Sequence, residues 1–265
     1  MLRIRTVLIT LTLLILAGCA KVPLTGRSQM ALLPESMLVE MSLTSYGAFL
    51  KENKLSADPV ASAMVERVGI RIARAVEQYL SDNGFANRLA NFKWEFKLVE
   101  DDTPNAWAMP GGKVVFYTGI LPLTQTEAGL AVVMGHEIAH AVARHGNERM
   151  SQAMMLQLGG IALAESLKEK PEATQAIFLT AYGLGSQLGV MLPYSRRHEY
   201  EADELGLIFM AMAGYHPEEA IHFWTRMSEL PGTRPPEFLS THPVDTKRIQ
   251  NIQKIMPRVM QFYRP

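Results

Sequence analysis

The segment His136-Glu137-Ile138-Ala139-His140 constrains this chain more than any other, because it carries two metal-binding side chains within an apolar stretch. An α-helix turns by about 100° per residue, so histidines four positions apart lie on one face and can bind a single ion. Glu137 lies beside them and can act as a general base. This pattern is typical of a site where zinc activates water for hydrolysis.

The residues before and after this motif predict that it lies on a helix. Thr124-Gln125-Thr126-Glu127 has the S/T-x-x-E form of a capping box, which begins helices. The apolar stretch that follows contains few helix-breaking residues as far as about Met150. We therefore expect one helix from about residue 124 to residue 150.

A catalytic zinc needs a third protein ligand and an open fourth position. In the three-histidine variant the third histidine comes ten residues after the first, but residue 146 is glycine and His145 is one position short. That variant is therefore disfavoured. We interpret His145 as a structural histidine or a neighbour of the site.

The charged segment over residues 195–203 contains the candidate third ligand. Glu199 and Asp203 are four residues apart and share a helical face, so Glu199 can bind zinc while Asp203 holds a ligating histidine through its other ring nitrogen. Glu201 lies on another face and is the alternative ligand. His198 could also bind metal, but we interpret it as a neighbour of the site.

The remaining patterns predict an α+β domain that is mostly helical, with a small sheet beside the helix of the motif. Strict alternation over residues 93–98 predicts a strand. Residues 105–109 and 113–117 flank Pro110-Gly111-Gly112, which predicts a hairpin. Further helices are predicted over residues 34–50, 59–82, 151–167, 173–191, 196–213, 217–229 and 244–262.

The N-terminus has the pattern of a secretory signal. Arg3 and Arg5 precede an uncharged apolar run over residues 6–17, which is shorter than the roughly 20 residues needed to span a bilayer. Cys19, the only cysteine, follows Leu16-Ala17-Gly18, an approach that resembles the bacterial lipobox. Cys19 is therefore predicted to be lipidated after removal of residues 1–18, and no intramolecular disulfide is possible.

These features together predict three parts: a signal peptide over residues 1–18, a tether over 19–33 and a catalytic domain over 34–265. Ala20, rather than an aspartate, follows Cys19, which favours an outer-membrane anchor over an inner-membrane one. The predicted location is therefore the periplasmic face of a bacterial outer membrane. The 26 basic residues equal the 26 acidic ones, so no nucleic-acid partner is expected.

Several ordered motifs resemble the HtpX and CAAX prenyl endopeptidase family of HExxH zinc metallopeptidases, in particular its periplasmic lipoprotein-type (BepA/LoiP-like) members. The motifs are Pro23-Leu24-Thr25-Gly26-Arg27, Asn105 to Gly112, His136 to His140, Tyr194 to Asp203, and Ser240-Thr241-His242-Pro243 with Arg248. The resemblance implies one zinc ion bound by His136, His140 and Glu199. It also implies that Glu137 is the catalytic base and that Asp203 supports a ligand.

Two further roles follow from the resemblance. The strand with Asn105, Ala106 and Trp107 would pair with an extended substrate through its backbone, unless it is an ordinary hairpin strand. His242 would donate to the oxyanion or occupy the open zinc position in a resting state, unless it is merely structural. Membrane-embedded relatives have spanning helices near residues 176–192, which here are predicted to be a lid or, alternatively, a membrane-dipping segment.

The expected function is that of a zinc metalloendopeptidase that cleaves unfolded or misassembled cell-envelope proteins. Its expected partners are those polypeptides and a membrane reached through lipidated Cys19. The alternative is a chaperone-like module that binds outer-membrane proteins and has latent or secondary proteolysis.

Overall fold

A computed structural model describes residues 19–230, 237–242 and 246–265; the predicted signal peptide lies outside the described residues. The strands are β1 (Cys19–Lys21), β2 (Ser28–Met30), β3 (Glu95–Val99), β4 (Ala106–Met109) and β5 (Lys113–Tyr117). The helices are α1 (Glu35–Glu52), α2 (Pro59–Asp82), α3 (Leu121–Thr124), α4 (Glu127–Ala143), α5 (His145–Leu167), α6 (Glu172–Ser186), α7 (Leu192–Met212), α8 (Glu219–Ser228), α9 (Glu237–Thr241) and α10 (Thr246–Val259). The predicted fold class, a mostly helical α+β domain, is confirmed.

The chain divides into two compact units. The first contains the described residues up to Val22, Gly26–Pro34 and Arg144–His198. The second contains Pro23–Thr25, Glu35–Ala143 and Glu199–Pro265.

The sheet of the second unit has the strand order β3-β5-β4. β4 and β5 pair antiparallel, with Met109 opposite Lys113, and the turn between them uses Gly111 and Gly112 at φ values of 90° and 82°. The predicted hairpin is confirmed. β3 pairs parallel with β5 and begins at Glu95, two residues later than the alternation predicted.

Helix α2 begins and ends where the sequence predicts. The Asp58 carboxylate accepts hydrogen bonds from the backbone N–H groups of Val60 and Ala61 at 2.9 and 3.0 Å, and Pro59 is the first helical residue. The helix contacts β3 and α4. Its buried residues recur at helical spacing: Val65, Val68, Ile72, Val76 and Tyr79.

The prediction of one helix over residues 124–150 is wrong at both ends. Gln125 takes a positive φ of 61°, so α3 stops at Thr124 and the cap of α4 is Thr126, whose hydroxyl accepts the N–H of Gly129 at 3.0 Å. Arg144, also at φ 61°, separates α4 from α5. A left-handed residue interrupts the helical hydrogen-bond ladder, so the motif helix ends at Ala143.

The segment predicted to be a tether contains a two-stranded hairpin. Strands β1 and β2 pair antiparallel, with Ala20 opposite Gln29, and both Val22 and Gln29 are buried. Burial of these side chains fixes the segment as a folded hairpin.

The predicted break between helices at residues 191–196 is also wrong. A π-helical turn over Gln187–Met191 joins α6 to α7, so residues 172–212 form one helical run. By length and composition this run is apolar enough to cross a membrane. Within the first unit α5 and α6 pack on each other, and the Tyr182 hydroxyl donates to the Leu156 carbonyl at 2.8 Å.

A buried polar cluster joins the N-terminal hairpin to the helices of the first unit. The Arg27 guanidinium makes two bonds of 2.8 Å to the Glu148 carboxylate, and His198 Nε2 lies 2.9 Å from the same carboxylate. The rings of His145 and His198 stack at 4.3 Å. Burial would raise the pKa of Glu148, but Arg27 and His198 outweigh it and lower that pKa to about 2.

Candidate metal centre

Three helical elements of the second unit bring four potential metal ligands together. On α4, the Nε2 atoms of His136 and His140 lie 3.1 Å apart. On α7, the Glu199 carboxylate lies 3.3 Å from each of these nitrogens. His242, next to α9, places Nδ1 at 3.1 Å from His136 Nε2 and 3.0 Å from Glu199 Oε2. All four side chains are buried, and their donor atoms lie within 4.8 Å of one another.

The spacing of these donor atoms fits zinc. Four ligands at about 2.05 Å from a tetrahedral ion lie about 3.3 Å from one another. Five of the six separations among the four side chains are 3.0 to 3.3 Å, close to that edge length, and the sixth, between His140 and His242, lies within 4.8 Å. Two imidazoles and a carboxylate also form the ligand set of catalytic zinc sites. The residues present therefore fit a zinc ion.

A glycine pair lets the two ligand-bearing helices approach each other. A Cβ atom on Gly135 would lie 2.6 Å from the Gly206 carbonyl oxygen, and one on Gly206 would lie 2.7 Å from the Gly135 backbone. Both obstacles are main-chain atoms that cannot rotate away. Gly135 immediately precedes His136, so this close contact between α4 and α7 sets the distance between His136 and Glu199.

Asp203 lies behind the ligands and orients one of them. Its Oδ1 atom is 3.0 Å from His136 Nδ1, so Nδ1–H donates to the carboxylate and Nε2 is left for a metal. Burial alone would lower the pKa of His136, but hydrogen bonds with Asp203 and Glu199 raise it to about 9. Burial raises the pKa of Glu199, yet the three surrounding histidines hold it well below its usual range, so this ligand is ionised.

Arg248 on α10 completes the support of Asp203. Its Nε and Nη2 atoms donate to the two Asp203 oxygens at 2.8 and 2.7 Å, and its guanidinium lies 3.6 Å from the centre of the Trp224 ring. Arg248 is buried, and its charge outweighs burial and lowers the pKa of Asp203. For Arg248 no role is predicted beyond its place in a motif, and no pattern in the sequence indicates a role for Trp224.

Glu137 faces His242 across the site. Its carboxylate is buried and lies 3.3 Å from His242 Nε2, while Nδ1 of the same ring lies among the potential ligands. A carboxylate at this position is within reach of a small molecule held at the metal site.

Comparison with known proteins identifies the fold family. The model of peptidase family M48 matches residues 67–256, a span that contains α4, α7 and all four potential ligands. The chain belongs to peptidase family M48. It is therefore a zinc metallopeptidase, and the predicted enzyme class and zinc cofactor are confirmed.

Curated relatives of this M48 chain include mitochondrial and bacterial proteases. The mitochondrial metalloendopeptidase OMA1 of Saccharomyces cerevisiae is 31% identical over 94% of this chain and 75% of its own length. OMA1 of Schizosaccharomyces pombe is 36% identical over 70% of this chain and 52% of its own length. The β-barrel assembly-enhancing protease of Escherichia coli is 27% identical over 77% and 41%. The chain thus spans three quarters of the first relative and about half or less of the other two.

These relatives correct the predicted localisation. Proteins from fungi, a plant and vertebrates that match this M48 chain are mitochondrial metalloendopeptidases. The predicted location, a lipoprotein on the periplasmic face of a bacterial outer membrane, is therefore wrong. The signal peptide and the lipidation of Cys19 stay predictions from the N-terminal sequence.

The other candidate ligands lie outside the four-residue group of the M48 site. Glu201 accepts a hydrogen bond from the Thr25 hydroxyl at 3.2 Å. His145 and His198 lie in the Arg27–Glu148 cluster of the first unit. Among the described residues, the group that could hold a metal contains none of these three. Glu148, which organises the first-unit cluster, was missed because its partners are far away in sequence.

The strand predicted to bind substrate is β4, together with the residue before it. β4 is a terminal strand in the order β3-β5-β4 and contacts α4. Asn105 accepts the Tyr117 N–H at 3.0 Å, while the N–H of Phe238 donates to Pro104 at 3.3 Å. The Phe238 ring lies 4.8 Å from the His242 ring. Asn105 and Ala106 are buried and Trp107 is partly buried; substrate pairing here stays a prediction.

Proposed function

We propose that this M48 chain is an endopeptidase that hydrolyses peptide bonds in unfolded or misassembled polypeptides. The observation that carries the proposal is the group of four buried potential ligands within 4.8 Å of one another, with the Glu137 carboxylate beside it. Cell-envelope proteins are the proposed substrate class. Support for that class comes from the bacterial relatives, which are named β-barrel assembly-enhancing proteases.

In this proposal His136, His140 and Glu199 hold the zinc ion. Zinc, when bound, supplies a Lewis acid that polarises the peptide carbonyl and activates water. Asp203 fixes the tautomer of His136 through the 3.0 Å contact, and Arg248 keeps Asp203 ionised. The proposed catalytic domain covers residues 34–265, and Thr25 and Arg27 contribute contacts to it from the N-terminal segment.

Glu137 is proposed to be the general base. It would accept a proton from the attacking water and pass it to the amine of the leaving peptide. Its carboxylate is almost fully buried, so its charge is screened little by solvent.

His242 is proposed to occupy the fourth ligand position in the resting protein. Its Nδ1 atom lies at tetrahedral spacing from His136 and Glu199, which supports this role over the oxyanion-donor role. Substrate would then have to displace the ring before cleavage. Substrate would pair with the edge of β4, through backbone hydrogen bonds that tolerate many sequences.

The test compares Glu137→Gln with Glu201→Gln, a matched change at another buried glutamate. Zinc content is measured by mass spectrometry, and cleavage is measured on an unfolded protein substrate. Glu137→Gln should keep one zinc per chain and lose about 10²-fold or more in cleavage rate. Glu201→Gln should keep one zinc per chain and the wild-type cleavage rate. Cleavage by Glu137→Gln at the wild-type rate would show that the proposed mechanism is wrong.

A chaperone-like module is the second candidate, favoured by the position of β4 at the end of the sheet order. It predicts that binding of an unfolded client survives both zinc chelation and Glu137→Gln, with proteolysis latent or secondary. Loss of client binding on zinc chelation or in Glu137→Gln would reject it.

A further inference from the structure

The first unit exposes a concentration of large apolar side chains. They lie on α5, on α6 and on the start of the helical run that follows: Met150, Met154, Leu158, Ile161, Ile177, Phe178, Leu184, Leu188 and Leu192. None of the residues of α6 is buried. Single exposed apolar residues are ordinary, but a contiguous set of this size marks an interaction surface.

Helices α5 and α6 form the two legs of a helical hairpin, and the second leg, α6 with the residues up to 195, has a composition that fits a lipid environment. Residues 173–195 contain no charged side chain on any face. A surface helix of a soluble protein carries charges on its outer face, whereas a helix apolar on all sides is either a core helix or a membrane helix. This stretch is not a core helix, since its most apolar window is 0% buried.

The length of this leg also matches a bilayer. At about 1.5 Å per residue, residues 173–195 extend about 34 Å, compared with about 30 Å for the hydrocarbon layer. The first leg has a shorter uncharged stretch, residues 150–164, of about 22 Å.

The two legs form a hairpin whose backbone polar groups are satisfied internally. The Tyr182 hydroxyl donates to Leu156 across the legs, and Tyr182 also fills the space beside Gly159. A helical pair leaves few backbone groups that need water, which is the requirement for entering a bilayer.

Arginine side chains lie at one end of the apolar zone. Arg149 and Arg196 are exposed, and the Glu148–His198 contact of 2.9 Å places their neighbours side by side at the base of the hairpin. The tip carries charges of both signs: Glu165, Glu169 and Glu172 lie near Lys168 and Lys170, and Lys168 pairs with Glu165 at 2.6 Å. Basic residues at the end of an apolar zone complement the phosphate groups of lipids.

We propose that residues 149–197, the α5–α6 hairpin, insert their apolar surface among the acyl chains of a lipid bilayer, with the arginines at its base in contact with lipid phosphates. A second copy of the chain or an unfolded client could cover one apolar face. Neither would account for an uncharged stretch of bilayer length that ends at arginines at the base of the hairpin. The inference is independent of the proposed function, because it uses no residue of the metal site.

The experiment places a polarity-sensitive fluorophore on single cysteines in the full chain. Cys19→Ser provides the background, since Cys19 is the only cysteine. Ile177→Cys labels the hairpin at a position that is 69% exposed, and Val60→Cys labels an apolar position on α2 that is 79% exposed. Each labelled protein is mixed with vesicles of phosphatidylcholine and phosphatidylglycerol, some of which carry a quencher on the acyl chains.

We expect a blue shift and acyl-chain quenching of the label at position 177 and neither at position 60. Adding Leu188→Glu, three turns along the same face, should weaken the response of the label at least about tenfold, since a charge at bilayer depth is costly. Arg149→Gln with Arg196→Gln should weaken it on anionic vesicles.

Three results would overturn the proposal. The label at position 177 could stay water-exposed on vesicles. It could become buried in the absence of vesicles while light scattering shows a dimer, which would assign the face to a second copy. It could respond to an unfolded protein and not to vesicles, which would assign the face to a client.

Discussion

Replacing Gly135 by alanine should separate the two helices that carry the candidate zinc ligands. The added Cβ would lie 2.6 Å from the Gly206 oxygen, about 0.8 Å short of ordinary contact at 3.4 Å. Overpacking of this kind costs about 1–3 kcal/mol, offset by about 0.5–1 kcal/mol from the higher helix propensity of alanine. We expect a net loss of about 1–2 kcal/mol in the free energy of unfolding.

The same displacement should weaken zinc binding. Ligand distances at a zinc site are held to about ±0.2 Å, and a shift of Glu199 away from His136 by several tenths of an ångström exceeds that tolerance. The dissociation constant for zinc, measured by competition with a chromophoric chelator, should rise at least about tenfold. Stability is measured by urea unfolding in excess chelator, which separates it from metal binding.

Gly47→Ala is the matched control, because it lies inside α1 and a Cβ there meets nothing within 4 Å. It should stabilise the protein by about 0.5–1 kcal/mol and leave the zinc affinity unchanged. If Gly135→Ala behaves like Gly47→Ala in both measurements, the close approach of α4 and α7 does not set the geometry of the site.

Three further predictions concern buried charge and metal. Arg248→Met leaves the Asp203 carboxylate buried without its guanidinium, so urea unfolding should show a loss of about 3–5 kcal/mol, part of which Asp203→Asn restores in the double variant. The pKa of Glu148, about 2 in the folded chain, is below the unfolded value of about 4.3. Its stabilising contribution is therefore complete above pH 4.3 and lost as the pH falls towards 2; Glu148→Gln should flatten that part of a melting-temperature profile. Zinc at about 1,000 times its dissociation constant should stabilise the wild type by about 4 kcal/mol, and His140→Ala should show no zinc-dependent shift.

The local parts of the site could be predicted from sequence because helical periodicity carries them. Residues four positions apart on a helix share a face. This spacing places His136 with His140 on α4, and Glu199 with Asp203 on α7. The strand β3 and the β4–β5 hairpin also follow local patterns of alternation and turn glycines.

The remaining parts depend on contacts that leave no local pattern. Arg248 reaches Asp203 from a helix 45 residues away, and Arg27 reaches Glu148 across 121 residues. The break after α4 rests on Arg144 in a left-handed conformation, which glycine usually adopts and which an arginine does not signal. The Thr-x-x-Glu pattern pointed to Thr124, but the positive φ of Gln125 moved the cap to Thr126.

The Arg27–Glu148–His198 cluster has a consequence for the order in which the chain acquires its structure during synthesis. Arg27 leaves the ribosome long before Glu148, and His198 follows another 50 residues later. The N-terminal hairpin therefore lacks its contacts with Glu148 and His198 until most of the chain has been made. Contacts between residues so distant in sequence form slowly. A growing chain that ends between residues 27 and 198 therefore lacks at least one partner of this cluster, and folding of the first unit cannot finish until His198 has been made.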